Sequence, residues 1–446
     1  MNFTIKEINT RLNPLEVYNI FKEEKDTIFL DSSKEDKRLS KYSFIGVNPF
    51  LNFYYMGNKS YINNEAVNGD PFKVLEELIK KYKIEIESEL PLVSGCMGYI
   101  GYDTGRILEN LPNISGEDFQ IPDMKFVFYN NIIIFDIINN KVFITDLGIE
   151  NSRIKEIEGR ILDGINLIEE EVEISNNKFY SNFTKEEYKK AVKDLKDYIV
   201  NGDVYIANMT QRFYCNNNED SFEIYKKLRT INKAPFSAFM NFEDFQIISS
   251  SPERFIQVKE GYVSTRPIKG TRPRGHNEET DNKNKEELLN SEKDKAELLM
   301  IVDLERNDLS KVCNPHSVKV TEIFALEEYA TVFHLVSTIE GILKRDVSTV
   351  KCIKECFPGG SITGTPKIRT MEIIEELEML KRNIYTGSIG YFDFRGNADF
   401  NIVIRTIVKK DNRAYFGVGG GITYDSIEED EYNETLDKAK ALMRVL

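Results

Sequence analysis

No stretch restricts the backbone more than Arg266-Pro267-Ile268-Lys269-Gly270-Thr271-Arg272-Pro273-Arg274-Gly275. Its prolines fix φ and remove donors, and its glycines open the left-handed region and let a ligand approach the main chain. The expectation is a tightly bent segment that cannot continue a strand. Lys269 stands among Arg266, Arg272 and Arg274. A positive field disfavours its ammonium form and makes the free amine easier to reach. The plainer reading of the same residues is a basic surface turn.

At 446 residues the chain exceeds the size at which a single core usually stops growing. Two domains are expected, 1–175 and 176–446, with the boundary in the polar stretch around Glu171 to Phe183. The net charge of −14 argues against a nucleic-acid or anionic-membrane partner. An anionic substrate then needs a local basic pocket, and the Lys269 stretch is the candidate. No signal peptide and no bilayer-length apolar run are seen, so a cytoplasmic protein with no membrane contact is expected. Five scattered cysteines (Cys96, Cys215, Cys313, Cys352, Cys356) fit a reducing compartment better than a disulfide framework. Cys352 and Cys356, one helical turn apart, read as buried small side chains rather than metal ligands.

Periodicity predicts helices over Pro14–Glu24, Phe72–Lys83 and Ser152–Glu171, with β-rich runs such as Ser43–Val47 between them. Phe126 to Asp146 reads as a hairpin turning at Asn139-Asn140. Thr184 and Glu187 form a capping box ahead of the stripe Tyr188, Ala191, Val192, Leu195 and Ile199. Strand-like runs follow at Val204–Phe213, Phe236–Phe242 and Phe245–Ser249. Arg254–Val258 and Tyr262–Thr265 flank the turn Lys259-Glu260-Gly261, so that Glu253 and Lys269 emerge at the open end of one hairpin. Such a pattern favours an α+β chain of antiparallel β-sheets flanked by helices.

Two acidic pairs share i, i+3 spacing. Asp294 and Glu297 lie in a helical run Lys285–Leu309, and Glu431 and Glu434 lie in the last helix, Glu428–Arg444. Each pair falls on one helix face. Two facing helices could hold a hard divalent cation, Mg²⁺ above all, through oxygen ligands; a solvated acidic face is the alternative. Gly417-Val418-Gly419-Gly420-Gly421 ends a strand meander, Ser388–Phe416, whose internal turn is Gly396-Asn397. Its glycines could offer N–H groups to a carboxylate. Phe357 to Lys367 leads into a helix with Pro366 at its start, a second candidate anion site. Either segment is equally readable as a glycine-rich turn without a ligand.

Taken together these motifs resemble the chorismate-utilising enzymes over nearly the whole chain. The resemblance runs through SSSPERF (Ser249–Phe255), PIKGTRPRG (Pro267–Gly275), DLERNDL (Asp303–Leu309), HLVSTIEG (His334–Gly341), GGSITGTPK (Gly359–Lys367), GSIGYFD (Gly387–Asp393), NIVIRT (Asn401–Thr406) and GVGGGITYDS (Gly417–Ser426). It implies a sandwich of antiparallel sheets flanked by helices. Members that make anthranilate typically carry Ala where Lys269 stands. Those that make 4-amino-4-deoxychorismate, on the way to p-aminobenzoate and folate, carry PIKGT, and APFSAF (Ala234–Phe239) is also similar to theirs.

The same resemblance implies roles. Lys269 would be the nucleophile adding to C2 of chorismate, Glu253 the acid for the departing C4 hydroxyl, and His334 a neighbour of the ring. Glu297 and Glu434 would bind Mg²⁺, supported by Asp294 and Glu431. Arg405, Tyr385, Gly419, Gly420 and Gly421 would grip the pyruvyl carboxylate, with Gly270, Thr271 and Ser361 lining the site. Ammonia would come from a separate glutamine amidotransferase subunit. Ile206, in GDVYIANMTQRF, departs from the Gln of many relatives. Leu30-Asp31-Ser32-Ser33 only partly matches the pattern that binds tryptophan in anthranilate synthases. The alternatives are anthranilate formation, which Lys269 opposes, and a non-catalytic scaffold that activates a glutaminase, which the retained acid, lysine and carboxylate pairs oppose.

Overall fold

Every ladder between strands is antiparallel among the described residues, and 22 strands join in one hydrogen-bonded network. The computed structural model describes residues 2–34, 38–164, 177–328 and 332–446. Eleven α-helices flank the strands among those residues, which makes the fold α+β as the alternating patterns imply. The boundary expected at 175/176 lies outside the described residues. Strands from the two parts pair directly: Thr27–Asp31 with Phe236–Asn241, and Gly95–Ile100 with Ser388–Asp393.

Local chemistry places many elements where the sequence points. The helix Pro14–Phe21 starts at an Asn13–Glu16 capping box, and Lys185–Val200 starts at Thr184–Glu187. Asp70 caps Pro71–Lys81 by accepting from Phe72 and Lys73. Met124–Asp136 and Lys141–Asp146 form the expected hairpin, with Asn140 at φ 52° in its turn. Of the helix expected over Ser152–Glu171, Ile154–Asp163 is seen, and its C-terminal part lies outside the described residues.

Three expectations are corrected. Ile268–Pro273 is a strand after all, paired with Val332–Ile342. The prolines sit just before it and at its last position, and the ladder shifts register between Lys269 and Thr271, where Gly270 takes φ 73°. A bulge absorbs the bend that was read as a break. The run Lys285–Leu309 is two helices, Glu278–Asn290 and Glu292–Val312, separated by Ser291, whose side chain accepts from Asp294 N. Gly417–Gly421 is not a turn but the far half of the strand Arg413–Ile422, paired with Ile206–Asn216. Close packing explains its glycines: a Cβ at Gly417 would lie 2.3 Å from the Tyr385 ring, and one at Gly419 2.5 Å from the Met209 carbonyl oxygen.

Candidate active site

The hairpin Arg254–Lys259 and Tyr262–Arg266 sets Arg254 opposite Arg266. Glu253 and Lys269 leave its open end together. Lys269 Nζ donates to the carbonyl oxygen of Ser361 at 3.0 Å, in the short 3₁₀ turn Gly360–Ile362. Burial lowers the Lys269 pKa and Lys438 assists, while Glu253, Glu297 and Glu434 pull the other way. The three arginines are not the cause. Arg266 is paired with Glu327 and Glu322, Arg272 with Glu287 and Asp294, and Arg274 with Asp281. Their charges are neutralised locally, so the field expected from the sequence is replaced by desolvation.

Glu253 is 6 % exposed, and its Oε1 has no hydrogen-bond partner. Burial raises its pKa, against the opposing effects of the Ser361 hydroxyl and the Lys269 charge. Ser361 Oγ is near and also buried, close enough to act on the carboxyl but outside hydrogen-bonding geometry with it. Two adjacent buried oxygens left unsatisfied mark a place where a polar ligand belongs. Burial thus shifts the Glu253 carboxyl towards its protonated form.

Other predicted residues gather around this pair. Thr271 Oγ1 lies 2.9 Å from His334 Nδ1. Burial and then Arg405 drive the His334 pKa down to about 3, so the imidazole is neutral. A Cβ at Gly270 would lie 2.9 Å from Asp294 Cβ, so that position needs glycine for space as well as for φ. A Cβ at Gly421 would lie 3.7 Å from Lys269 Nζ, and one at Gly420 3.1 Å from Glu431 Oε2 and 3.4 Å from Glu434 Oε1. Gly421 thus borders the amine, and Gly420 borders the carboxylates of the C-terminal helix Glu428–Val445. Tyr385 packs instead against Gly417, further along that strand. Arg405 Nη1 reaches Asn232 Oδ1 at 3.4 Å.

The two acidic pairs do converge from Glu292–Val312 and Glu428–Val445. Glu297 is raised by burial, with Asp294 and Glu431 adding repulsion. Glu431 is raised by burial and by Glu434, and it accepts from Ser426 at 2.6 Å. Burial also acts to raise Glu434, but Lys438 at 2.7 Å holds it below its ordinary value. Asp294 is turned towards Arg272 Nη2, 3.1 Å away. Among the described residues no three His, Cys, Asp or Glu side chains close on one point as a metal site. All-oxygen donors and mutually repelling buried carboxylates nonetheless suit Mg²⁺ bound largely through water.

Some residues of the site escaped sequence reasoning. Lys438 lies four residues after Glu434 on one helix face, a spacing that could have disclosed it. Glu305 had no such signal. It is 8 % exposed, accepts from Thr265 Oγ1 at 2.8 Å, and has its pKa pushed up to about 8 by burial, with Glu253 and Asp308 adding to the effect. Away from this site, Leu30, Asp31 and Ser32 line a cavity of about 190 Å³. Asp31 there is already engaged by Arg229 at 2.6 Å and Tyr225 at 2.9 Å.

The chain is similar to known proteins over most of its length. The anthranilate synthase component 1 of Acetivibrio thermocellus is 36 % identical over 97 % of this chain and 92 % of its own length. The aminodeoxychorismate synthase component 1 of Escherichia coli (strain K12) is 37 % identical over 94 % of this chain and 93 % of its own. The crystal structure of anthranilate synthase component I from Streptococcus pneumoniae TIGR4 superposes with a TM-score of 0.84 at 32 % identity, covering 97 % of this chain and 98 % of that one. The profile described as chorismate binding enzyme matches residues 25–444, and the chain belongs to that family of chorismate-utilising enzymes.

Proposed function

We propose that this chain converts chorismate and ammonia to 4-amino-4-deoxychorismate. The observation that carries the reading is the proximity of a desolvated Lys269 amine to a buried Glu253 whose pKa burial raises. The Lys269 nitrogen adds to C2 of chorismate, the ring double bonds shift, and the C4–O bond breaks. The departing hydroxyl takes the Glu253 proton and leaves as water. The carboxylate of Glu253 then accepts the proton that the new C2–N bond sheds. Ammonia adds at C4, the double bonds shift back, and the bond from C2 to Lys269 breaks. Lys269 recovers its proton from the ammonium formed at C4. Covalent capture of this kind splits one difficult displacement into two easier ones.

His334, neutral and hydrogen-bonded to Thr271, orients the strand edge beside the ring rather than carrying charge. When bound, Mg²⁺ supplies positive charge against the ring carboxylate; Glu297 and Glu434 would hold it, with Asp294 and Glu431 in support. Arg405 and Tyr385 would take the pyruvyl carboxylate, with those N–H groups of the strand stretch Gly419, Gly420 and Gly421 that its ladder leaves unpaired. The relatives are named as component 1, which supports a glutamine amidotransferase partner as the ammonia source. No helix is long and apolar enough to cross a membrane among the described residues.

Anthranilate formation is the rival reading, favoured by relatives of that name at the same level of identity. The deciding experiment incubates the purified chain with chorismate, Mg²⁺ and ammonium and identifies the product by mass and fluorescence. A product with the mass of 4-amino-4-deoxychorismate is expected. Anthranilate as the direct product would overturn the assignment, and no turnover under any condition would favour a scaffold role.

A further inference from the structure

The space left open by Gly421 is filled from two sides. A Cβ there would lie 3.3 Å from Ile206 Cδ1 and 3.7 Å from Lys269 Nζ. An isoleucine methyl and the amine nitrogen thus border the same space, the one that a side chain at Gly421 would occupy. Ile206 is 2 % exposed and opens the strand Ile206–Asn216. Its backbone cannot drift: Ile206 pairs with Thr365, and Ala207 pairs with both Gly364 and Ile422. The Ile206 carbonyl oxygen is so close to Gly364 that a Cβ there would lie 2.0 Å from it.

The remaining surroundings of the amine are polar but distant or neutral. Ser361 O accepts its hydrogen bond at 3.0 Å. Glu253 faces it from the hairpin end, Glu297 from the helix Glu292–Val312, and Glu434 and Lys438 from the C-terminal helix. These carboxylates act through space and form no ion pair with Nζ among the described residues. On the Gly421 side, the side chain that borders the same space as the amine is the hydrocarbon of Ile206.

We propose that Ile206 is a positioning residue for Lys269, an apolar wall that closes the space over Gly421 against water and keeps the amine dry until substrate arrives. The proposal rests on the reading of Lys269 as the nucleophile. Apolar contact withholds the hydration that an ammonium needs and a free amine can forgo, so the wall favours the reactive form. A polar atom in place of that δ methyl would return a hydrogen-bonding partner to the ammonium.

The test compares Ile206→Leu with Ile206→Asn, which share a shape, keep atoms at the δ position where Ile206 borders Gly421, and differ in the polarity of those atoms. Each protein, saturated with Mg²⁺, is pulsed with acetic anhydride across a pH series. Peptide mass then gives the midpoint for modification of Lys269, with the exposed Lys59 as internal reference. The Leu variant should keep the wild-type midpoint. The Asn variant should shift it upward by about one pH unit, a roughly tenfold loss of labelling rate at fixed pH below the midpoint. Equal midpoints in the two variants would overturn the role of Ile206. A separate arm mixes wild type with chorismate and Mg²⁺ without ammonia and looks for added mass on the Lys269 peptide. An absent adduct with a shifted Asn midpoint would defeat only the nucleophile reading; an adduct with equal midpoints would defeat only the role of Ile206.

Discussion

Lys269 donates to the carbonyl oxygen of Ser361 at 3.0 Å, and this contact aims its amine. The acceptor is neutral. An ion-paired carboxylate in its place would hold the nitrogen as ammonium, whereas a carbonyl accepts equally from a free amine. Ser361 also turns its unpartnered hydroxyl towards Glu253, so one 3₁₀ turn addresses both the nucleophile and the acid.

His334 makes a prediction about pH. Its pKa is lowered to about 3 in the fold by burial, against ~6.5 when exposed. Between those values the unfolded chain binds a proton that the native one refuses. Stability therefore falls as pH drops from ~6.5 towards 3, by up to ~1.4 kcal/mol per pH unit for this group. In His334→Gln, denaturant titrations across pH 4–7 should show a shallower acid slope than wild type. An unchanged slope would mean that His334 protonates in the native state.

Glu305 works in the opposite sense. Its folded pKa of about 8 lies above the ordinary carboxyl range, so the native state holds a proton that the unfolded chain has released. Its stability contribution is present below ~4.3 and is lost as pH rises towards 8. Glu305→Gln keeps a neutral group of the same shape beside Thr265. The variant should be more stable than wild type at pH 8 by on the order of 1–3 kcal/mol, with the gain vanishing near pH 4. Thermal unfolding at the two pH values measures it.

How much of this was legible in the sequence follows the range of the physics involved. Thr184–Glu187 and the Gly261 hairpin are local, and both stand where the sequence puts them. The strand Ile268–Pro273 was hidden because its pairing partner, Val332–Ile342, lies some sixty residues on and a bulge at Gly270 disguises the register. The charge around Lys269 was misread for the same reason. Arg266 looks free in the chain, yet Glu322 and Glu327 fold back onto it. Ser291 was passed over as part of a continuous helix, although a serine ahead of Asp294 is a legible cap.

The carboxylates give a metal prediction. Glu297→Gln and Glu434→Gln each remove a formal charge from the proposed oxygen-ligand site. Both should weaken Mg²⁺ binding and lower turnover at limiting Mg²⁺ by roughly 10- to 100-fold, recovering in part at high Mg²⁺. The exposed Glu286→Gln is the control and should change neither. Magnesium titrations of rate read the effect. Wild-type rates in both variants at limiting Mg²⁺ would dismiss the two-helix site.

Lys269 carries the prediction that separates bond formation from simple charge pairing. Burial lowers its pKa, so a larger share of free amine is available than in an exposed lysine titrating near ~10.4. Arginine keeps a positive charge of similar reach but stays protonated and cannot add to carbon under these conditions. If Lys269 only attracts a substrate carboxylate, Lys269→Arg retains much of the activity and Lys269→Ala loses it. If Lys269 bonds to C2, both variants fail to make the 4-amino product, by on the order of 10³-fold or more. The pH dependence adds an independent sign. A nucleophilic amine gives a rate that rises with pH up to the lowered Lys269 pKa, whereas a charge-pairing ammonium gives one that falls there. Steady-state rates of wild type and both variants from pH 6 to 9, with product mass recorded at each point, decide between the two. Full activity in Lys269→Arg would remove the covalent step.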